Sequence, residues 1–157
     1  MKIVLVVLGK LKEQYWRDAE AEYKKRLSAF CKLEIVELKE ESFAEKDNLV
    51  KIKEKEAVKI IEVLNKHPRA KVVVLDEHGK QYSSENLSRW VTTQKDSGDD
   101  LVFVIGGPLG LAEQVQSLAV NMISLSNLTF THQMARVFLL EQLYRSFMIA
   151  DNRKYHY

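Results

Sequence analysis

The sequence predicts an α/β fold, a single domain built on one parallel sheet with helices on both faces. Three observations carry this. Apolar runs and amphipathic segments alternate about five times along the chain, the pattern that parallel strands and crossover helices produce. The runs KIVLVVL at 2–8, KVVVL at 71–75 and LVFVI at 101–105 are rich in Val, Ile and Leu without polar alternation, as expected of strands buried on both faces. With 157 residues, the chain is one domain by length and long enough to bury a core.

The elements follow in order. Gly9 ends the first strand. Tyr15, Ala19, Tyr23, Leu27 and Phe30 recur at helical spacing between charges, so a helix is predicted over about 12–30. LEIVEL at 33–38 is a second strand with one partly solvated face. Lys39 to Asp47 is a polar loop, and Asp47 is the expected helix cap. The next helix runs through Leu49, Ile52, Ala57, Ile60, Ile61 and Leu64. It stops before Pro68, because a residue preceding proline is pushed out of helical geometry. Its dense charge has mixed sign and reads as a solvated face.

The third strand, 71–75, turns out through Asp76 to Lys80. Ser83 or Ser84 caps a helix carrying Leu87, Trp90 and Val91. DSGDD at 96–100 breaks the chain before the fourth strand at 101–105. Gly106-Gly107-Pro108-Leu109-Gly110 closes that strand. A short helix is predicted over 111–119 and a fifth strand over 121–125. The polar loop Ser126 to Thr131 follows, with Thr131 as a cap. A long helix then runs from His132 to about Ala150.

Composition bounds the function. Lys and Arg number 24 against 22 Asp and Glu, a net charge of +2. That is too even for nucleic-acid binding through a strong global field, so any RNA contact must be local. Four cations, Arg136, Arg145, Arg153 and Lys154, face only Glu141 and Asp151 between residues 132 and 157, which makes the C-terminal segment the basic one. Cys31 is the single cysteine. It cannot form an internal disulfide, fits a reducing cytoplasm and reads as a packed small residue. The apolar run at 3–8 imitates a signal peptide but is too short, and no run approaches the roughly 20 residues of a membrane span. No histidine pair has metal-ligand spacing, so no metal is expected.

Ligands of parallel α/β sheets sit outside the carboxyl ends of the strands. Three loops lie there: Leu75-Asp76-Glu77, Gly106-Gly107, and Ser126 to Thr131. They could converge on one small molecule. The glycine turn at 106–110 has neither the spacing of a dinucleotide fingerprint nor the Gly-Lys-Ser/Thr of a phosphate loop. Gly9-Lys10-Leu11-Lys12 is a poor phosphate cradle too. The last helix shows an apolar stripe, Met134 to Met148, wide enough to pack on the sheet and on a partner chain. The tail ends with His156 beside Tyr155.

These residues carry a resemblance. Leu75-Asp76-Glu77 with Gly79-Lys80, Phe103 to Pro108, Ser124-Leu125-Ser126, His132-Gln133, Arg136-Val137, Glu141 to Arg145 and Tyr155-His156 resemble the RlmH family, small SPOUT-class methyltransferases of the bacterial large ribosomal subunit. The likeness covers essentially the whole chain, 1–157. It implies a C-terminal trefoil knot over about 101–157. It also implies a cytoplasmic homodimer that uses S-adenosylmethionine to methylate N3 of a pseudouridine in helix 69 of 23S rRNA, with the assembled ribosome as substrate.

By the same resemblance, Leu75, Gly107, Ser126, Asn127, Leu128, Thr129, Phe130 and Thr131 form the cofactor pocket, and Tyr155 and His156 the catalytic end. Arg136, Arg145, Arg153 and Lys154 are the expected RNA contacts. Two positions depart from the family pattern, which has proline where Thr131 stands and often a basic residue where Tyr157 stands. The competing reading is an RNA- or ribosome-binding module without chemistry.

Overall fold

The computed structural model describes residues 1–152. Its elements are β1 (Lys2–Leu8), α1 (Gln14–Leu27), β2 (Lys32–Leu38), α2 (Leu49–Leu64), β3 (Lys71–Gln81), α3 (Ser84–Asp96), β4 (Leu101–Ile105), α4 (Glu113–Gln116), β5 (Asn121–Ser124) and α5 (His132–Ala150). The five strands form one sheet in the order β2-β1-β4-β3-β5, with every pairing parallel. All strands therefore end at the same edge, and their loops collect there.

Both faces of the sheet are covered, which explains the unbroken apolar runs. Ile3, Leu5 and Val7 pack with Leu101, Phe103 and Ile105 beneath α1, α3 and α5. Val4, Val6 and Leu8 pack with Val102 and Val104 beneath α2 and α4. Successive residues of a strand point to opposite faces, so a strand covered on both sides must be apolar at every position. Each fully buried Ile, Leu or Phe contributes roughly 1.5–3 kcal/mol.

The helix ends match sequence chemistry with one correction. Ser83 accepts from Asn86 N, as expected of a cap. At α2 the cap is Asn48, whose Oδ1 accepts from Val50 N and Lys51 N. Asp47 instead accepts from Ala44 N within the preceding turn. Three further expectations are corrected. The helix predicted over 111–119 is only the single turn of α4. Asp76 to Lys80 is no turn out of the sheet but part of an eleven-residue β3. Both Leu75 and Lys80 pair with Ile123, so 76–79 bulge out between them. Gly79 permits this, because a Cβ there would lie 2.7 Å from the Ile123 backbone. Tyr15, placed on the core stripe of α1 by its spacing, is 62% exposed.

The wide stripe of α5 has an intramolecular explanation. α5 lies between α1 and α3. On one side Phe30 stacks on Phe147 and meets Tyr144 edge-on. On the other, Ser88 donates to the Ser146 carbonyl at 2.6 Å and Ser84 to Gln142 Oε1 at 3.1 Å. Cys31 is buried, and burial pushes its thiol up to about 11, the behaviour of a packing residue.

Candidate functional site

A cavity of about 470 Å³ opens at the carboxyl ends of β4 and β5, beside the bulge of β3. Leu75, Ile105, Leu111 and Ile123 supply its apolar walls, and Gly106, Gly107 and Pro108 one rim. Ser126 and residues 128–131 form the opposite rim, with Asp76 and Glu77 between. The first turn of α5 closes the side through His132, Gln133 and Ala135. The three segments expected to converge thus meet at one place, although the first, 75–77, is a bulge within β3 and not a loop at its end. A volume of this size falls within the range of small-molecule sites.

The loop between β5 and α5 is held by its own side chains. Ser124 Oγ donates to the Ser126 carbonyl at 2.8 Å, and Ser126 Oγ accepts from Leu128 N at 3.0 Å. Thr129 Oγ1 donates to Glu77 Oε2 at 2.9 Å, tying the loop to the β3 bulge. Gln81 Nε2 donates to Asn127 Oδ1 at 2.6 Å. Thr131 caps α5 by accepting from Met134 N at 3.3 Å. A loop pinned this way keeps its rim in place before any ligand arrives, which lowers the ordering cost of binding.

The expected site residues divide. Leu75, Gly107, Ser126, Leu128, Thr129, Phe130 and Thr131 line the cavity, whereas Asn127 does not and instead braces the loop through Gln81. Arg153, Lys154, Tyr155 and His156 lie outside the described residues. Arg136 corrects the expected RNA surface. Only 3% exposed, it is ion-paired with Glu20 of α1 and, at 2.7 Å, with Glu37 of β2. A guanidinium so enclosed cannot reach a phosphate; it bolts α5 to α1 and β2. Arg145 bonds Glu141 one turn back at 2.6 Å.

His132, expected only to open the last helix, is a further residue of the site. It lines the cavity, and its Nε2 is buried without a hydrogen-bond partner among the described residues. A Cβ at Gly9 would lie 3.0 Å from that nitrogen and 3.2 Å from Glu40 Oε2. Gly9 is itself at φ +87°, so glycine is needed there twice over. Burial lowers the proton affinity of His132; Glu40 opposes this, and Lys12 and Arg136 reinforce it. The ring is therefore held neutral at pH 7. Nothing local in the sequence signals the contact, because Gly9 and His132 meet only in the fold.

Among the described residues no group of three His, Cys, Asp or Glu could hold a metal ion, and no helix is long and apolar enough to cross a membrane. The site offers one apolar-walled cavity, a carboxylate pair on one side and a pinned loop rich in backbone donors on the other.

Comparison with known proteins accords with this architecture. The family described as "Predicted SPOUT methyltransferase" matches residues 1–156. The Ribosomal RNA large subunit methyltransferase H of Streptococcus uberis is 43% identical over 160 residues, covering 99% of each chain. Its counterpart in Clostridium botulinum strain Eklund 17B is 44% identical over 161 residues, again covering 99% of each. That of Clostridium acetobutylicum is 44% identical over 160 residues. With near-complete coverage at such identity, this chain belongs to the RlmH family of SPOUT methyltransferases.

Proposed function

We propose that this chain methylates N3 of a pseudouridine in helix 69 of bacterial 23S rRNA, using S-adenosylmethionine, on the assembled ribosome. The observation that carries the reading is the convergence of two strand-end loops and the β3 bulge on one cavity. The names of its relatives, methyltransferases of large-subunit ribosomal RNA, support the substrate class. We further propose that the chain is one cytoplasmic domain, knotted over about 101–157, that works as a homodimer.

The cavity suits S-adenosylmethionine. That molecule joins an adenosine to an amino-acid chain whose sulfonium, ammonium and carboxylate leave a net positive charge. The walls are aliphatic, and Asp76 and Glu77 provide negative charge. A Cβ at Gly107 would meet only Leu8, at 3.7 Å, so the bare backbone there is open to a ligand. Leu75, Gly107, Ser126 and Leu128 to Thr131 would hold the cofactor, with Asn127 bracing the loop. Bound there, it supplies an electrophilic methyl group on sulfur.

The remaining work falls to the chain's own groups. They must aim the target nitrogen and exclude water. The N3 proton must leave as the N–C bond forms, and His156 is the proposed acceptor, since histidine is the side chain most often used as a general base. Tyr155 orients or stacks on the base. The apolar rim supports a dimer: Leu128 is 71% and Phe138 38% exposed, and Phe138 meets Phe130 edge-on at 5.2 Å. Burying that rim against a second chain would close the cavity from outside.

The test is transfer of label from S-adenosylmethionine to ribosomes purified from cells lacking such an enzyme, with the label mapped by mass spectrometry of rRNA fragments. Label at N3 of one helix 69 pseudouridine is expected. Saturable cofactor binding without any labelled RNA would sink the substrate assignment. Retained turnover in His156→Ala would sink its role as base.

A further inference from the structure

The geometry points to the loop between β1 and α1, residues 9–12, as an RNA-phosphate contact beside the cavity, with Lys10 and Lys12 as its cations. This rests on the proposed ribosomal RNA substrate.

The loop is exposed at its lysines yet firmly held. Gly9 N donates to the Leu38 carbonyl at 2.9 Å, and Leu11 is buried at 6% exposure. Lys12 N donates to Gln133 Oε1 at 2.7 Å. Arg17 Nη1 donates to the carbonyls of Leu11 at 2.9 Å and Lys12 at 2.7 Å. Both backbone groups of Lys12 are thus fixed, and one of them is fixed by a residue that lines the cavity. The loop also meets the cavity through His132, whose proton affinity the charge of Lys12 lowers.

The side chains of Lys10 and Lys12 make no ion pair among the described residues. Nearby carboxylates exist: Glu13 is next in sequence, and Glu40 lies against Gly9. By contrast one of the two cations expected to face RNA from α5, Arg136, is enclosed between two carboxylates. A substrate reaching the cavity carries a phosphate every nucleotide. Two cations on a loop bolted to the cavity wall can fix where that backbone runs, and phosphate contacts set register rather than sequence. This gives a role to a Gly-Lys-Leu-Lys segment that fails as a nucleotide cradle: it grips a polyanion from the rim.

The test uses the full chain and large ribosomal subunits from cells lacking an enzyme of this type. Subunit binding is measured across a salt series for the wild type and for Lys10→Glu with Lys12→Glu. A charge-matched control, Lys66→Glu with Arg69→Glu, lies between α2 and β3, exposed at the edge where the strands begin. The loop variant should bind at least tenfold more weakly. Its log–log salt slope should be shallower by about 1.5, the loss of two phosphate contacts. Its S-adenosylmethionine affinity, read by calorimetry, should stay within twofold. Unchanged subunit binding by the loop variant overturns the proposal, as does an equal loss in the control. If the wild type binds cofactor but no subunits, the substrate assignment falls and this contact with it.

Discussion

The two faces of the sheet are built on different principles. Beneath α2 and α4 the core is almost purely aliphatic: Ala57, Ile60, Val63, Leu64 and Val115 against alternate residues of β1 and β4. Beneath α1, α3 and α5 the core adds aromatic rings and a set of buried polar locks. Ser88 bonds the Ser146 carbonyl, and Arg136 joins Glu20 and Glu37. Aliphatic burial stabilises but has no direction. Hydrogen bonds and ion pairs fix rotation and register. The locked face is the one whose last helix begins at the cavity wall, with His132 and Gln133. The difference teaches that the locks joining helix to helix gather on the face whose last helix reaches the site, while on the other face Glu56 and Lys59 hold only the loop after β2.

Arg136→Ala tests the comparison most severely. It strands two carboxylates in the α1–β2–α5 seam and should cost about 3–5 kcal/mol, read as a lower urea midpoint. Pairing it with Glu20→Gln should recover part of the loss. A cost under about 1 kcal/mol would mean the network contributes no directional lock. Ile60→Ala, on the aliphatic face, should cost about 2–4 kcal/mol through its cavity yet leave cofactor affinity unaltered when measured well below the melting temperature. If it weakened binding as much as it weakened the fold, the division between the faces would fail.

A smaller effect is expected from Ser88→Ala, about 1 kcal/mol, together with faster amide exchange in the second half of α5. The smallest effects are titrations of opposite sign. His132 has its proton affinity lowered by burial. The unfolded chain therefore takes up that proton first as pH falls through about 6.5, and stability drops on the acid side. Glu56 is raised by burial from 4.5, with the Glu41 backbone bond opposing. Its contribution is present below 4.5 and is lost as pH rises through the folded value. Chemical denaturation from pH 4 to 8 should show the acid-side loss shrink in His132→Asn. Stability at neutral pH should rise slightly in Glu56→Gln, whose amide oxygen can still accept from Glu41 N.

Much of the fold is legible in local residue patterns. The bounds of β1, β4 and α5 follow from local composition, because a strand buried on both faces needs an unbroken apolar run and a helix start needs a side-chain acceptor such as Thr131. The cavity was foreseeable as well, since parallel strands end at one edge and their loops must gather there. The misses have physical causes. Asp47 and Asn48 are equally good caps on paper, and only the packing of the turn at Ala44 separates them. Asp76 to Lys80 has turn chemistry, but β5 pairs with the chain on both sides of it and turns it into a bulge.

By itself the sequence determined the five-strand alternation, the two covered faces and the loops that bound the cavity, because each depends on residues a few positions apart. Only the tertiary structure decided which charges face water. Arg136 reads as a surface cation until Glu37, 99 positions away, encloses it. Lys12 reads as an ordinary loop residue until Gln133, 121 positions away, fixes its backbone at the cavity wall. Whether a charge is buried and paired or presented to a partner depends on neighbours brought in by chain crossing, and no local pattern encodes them.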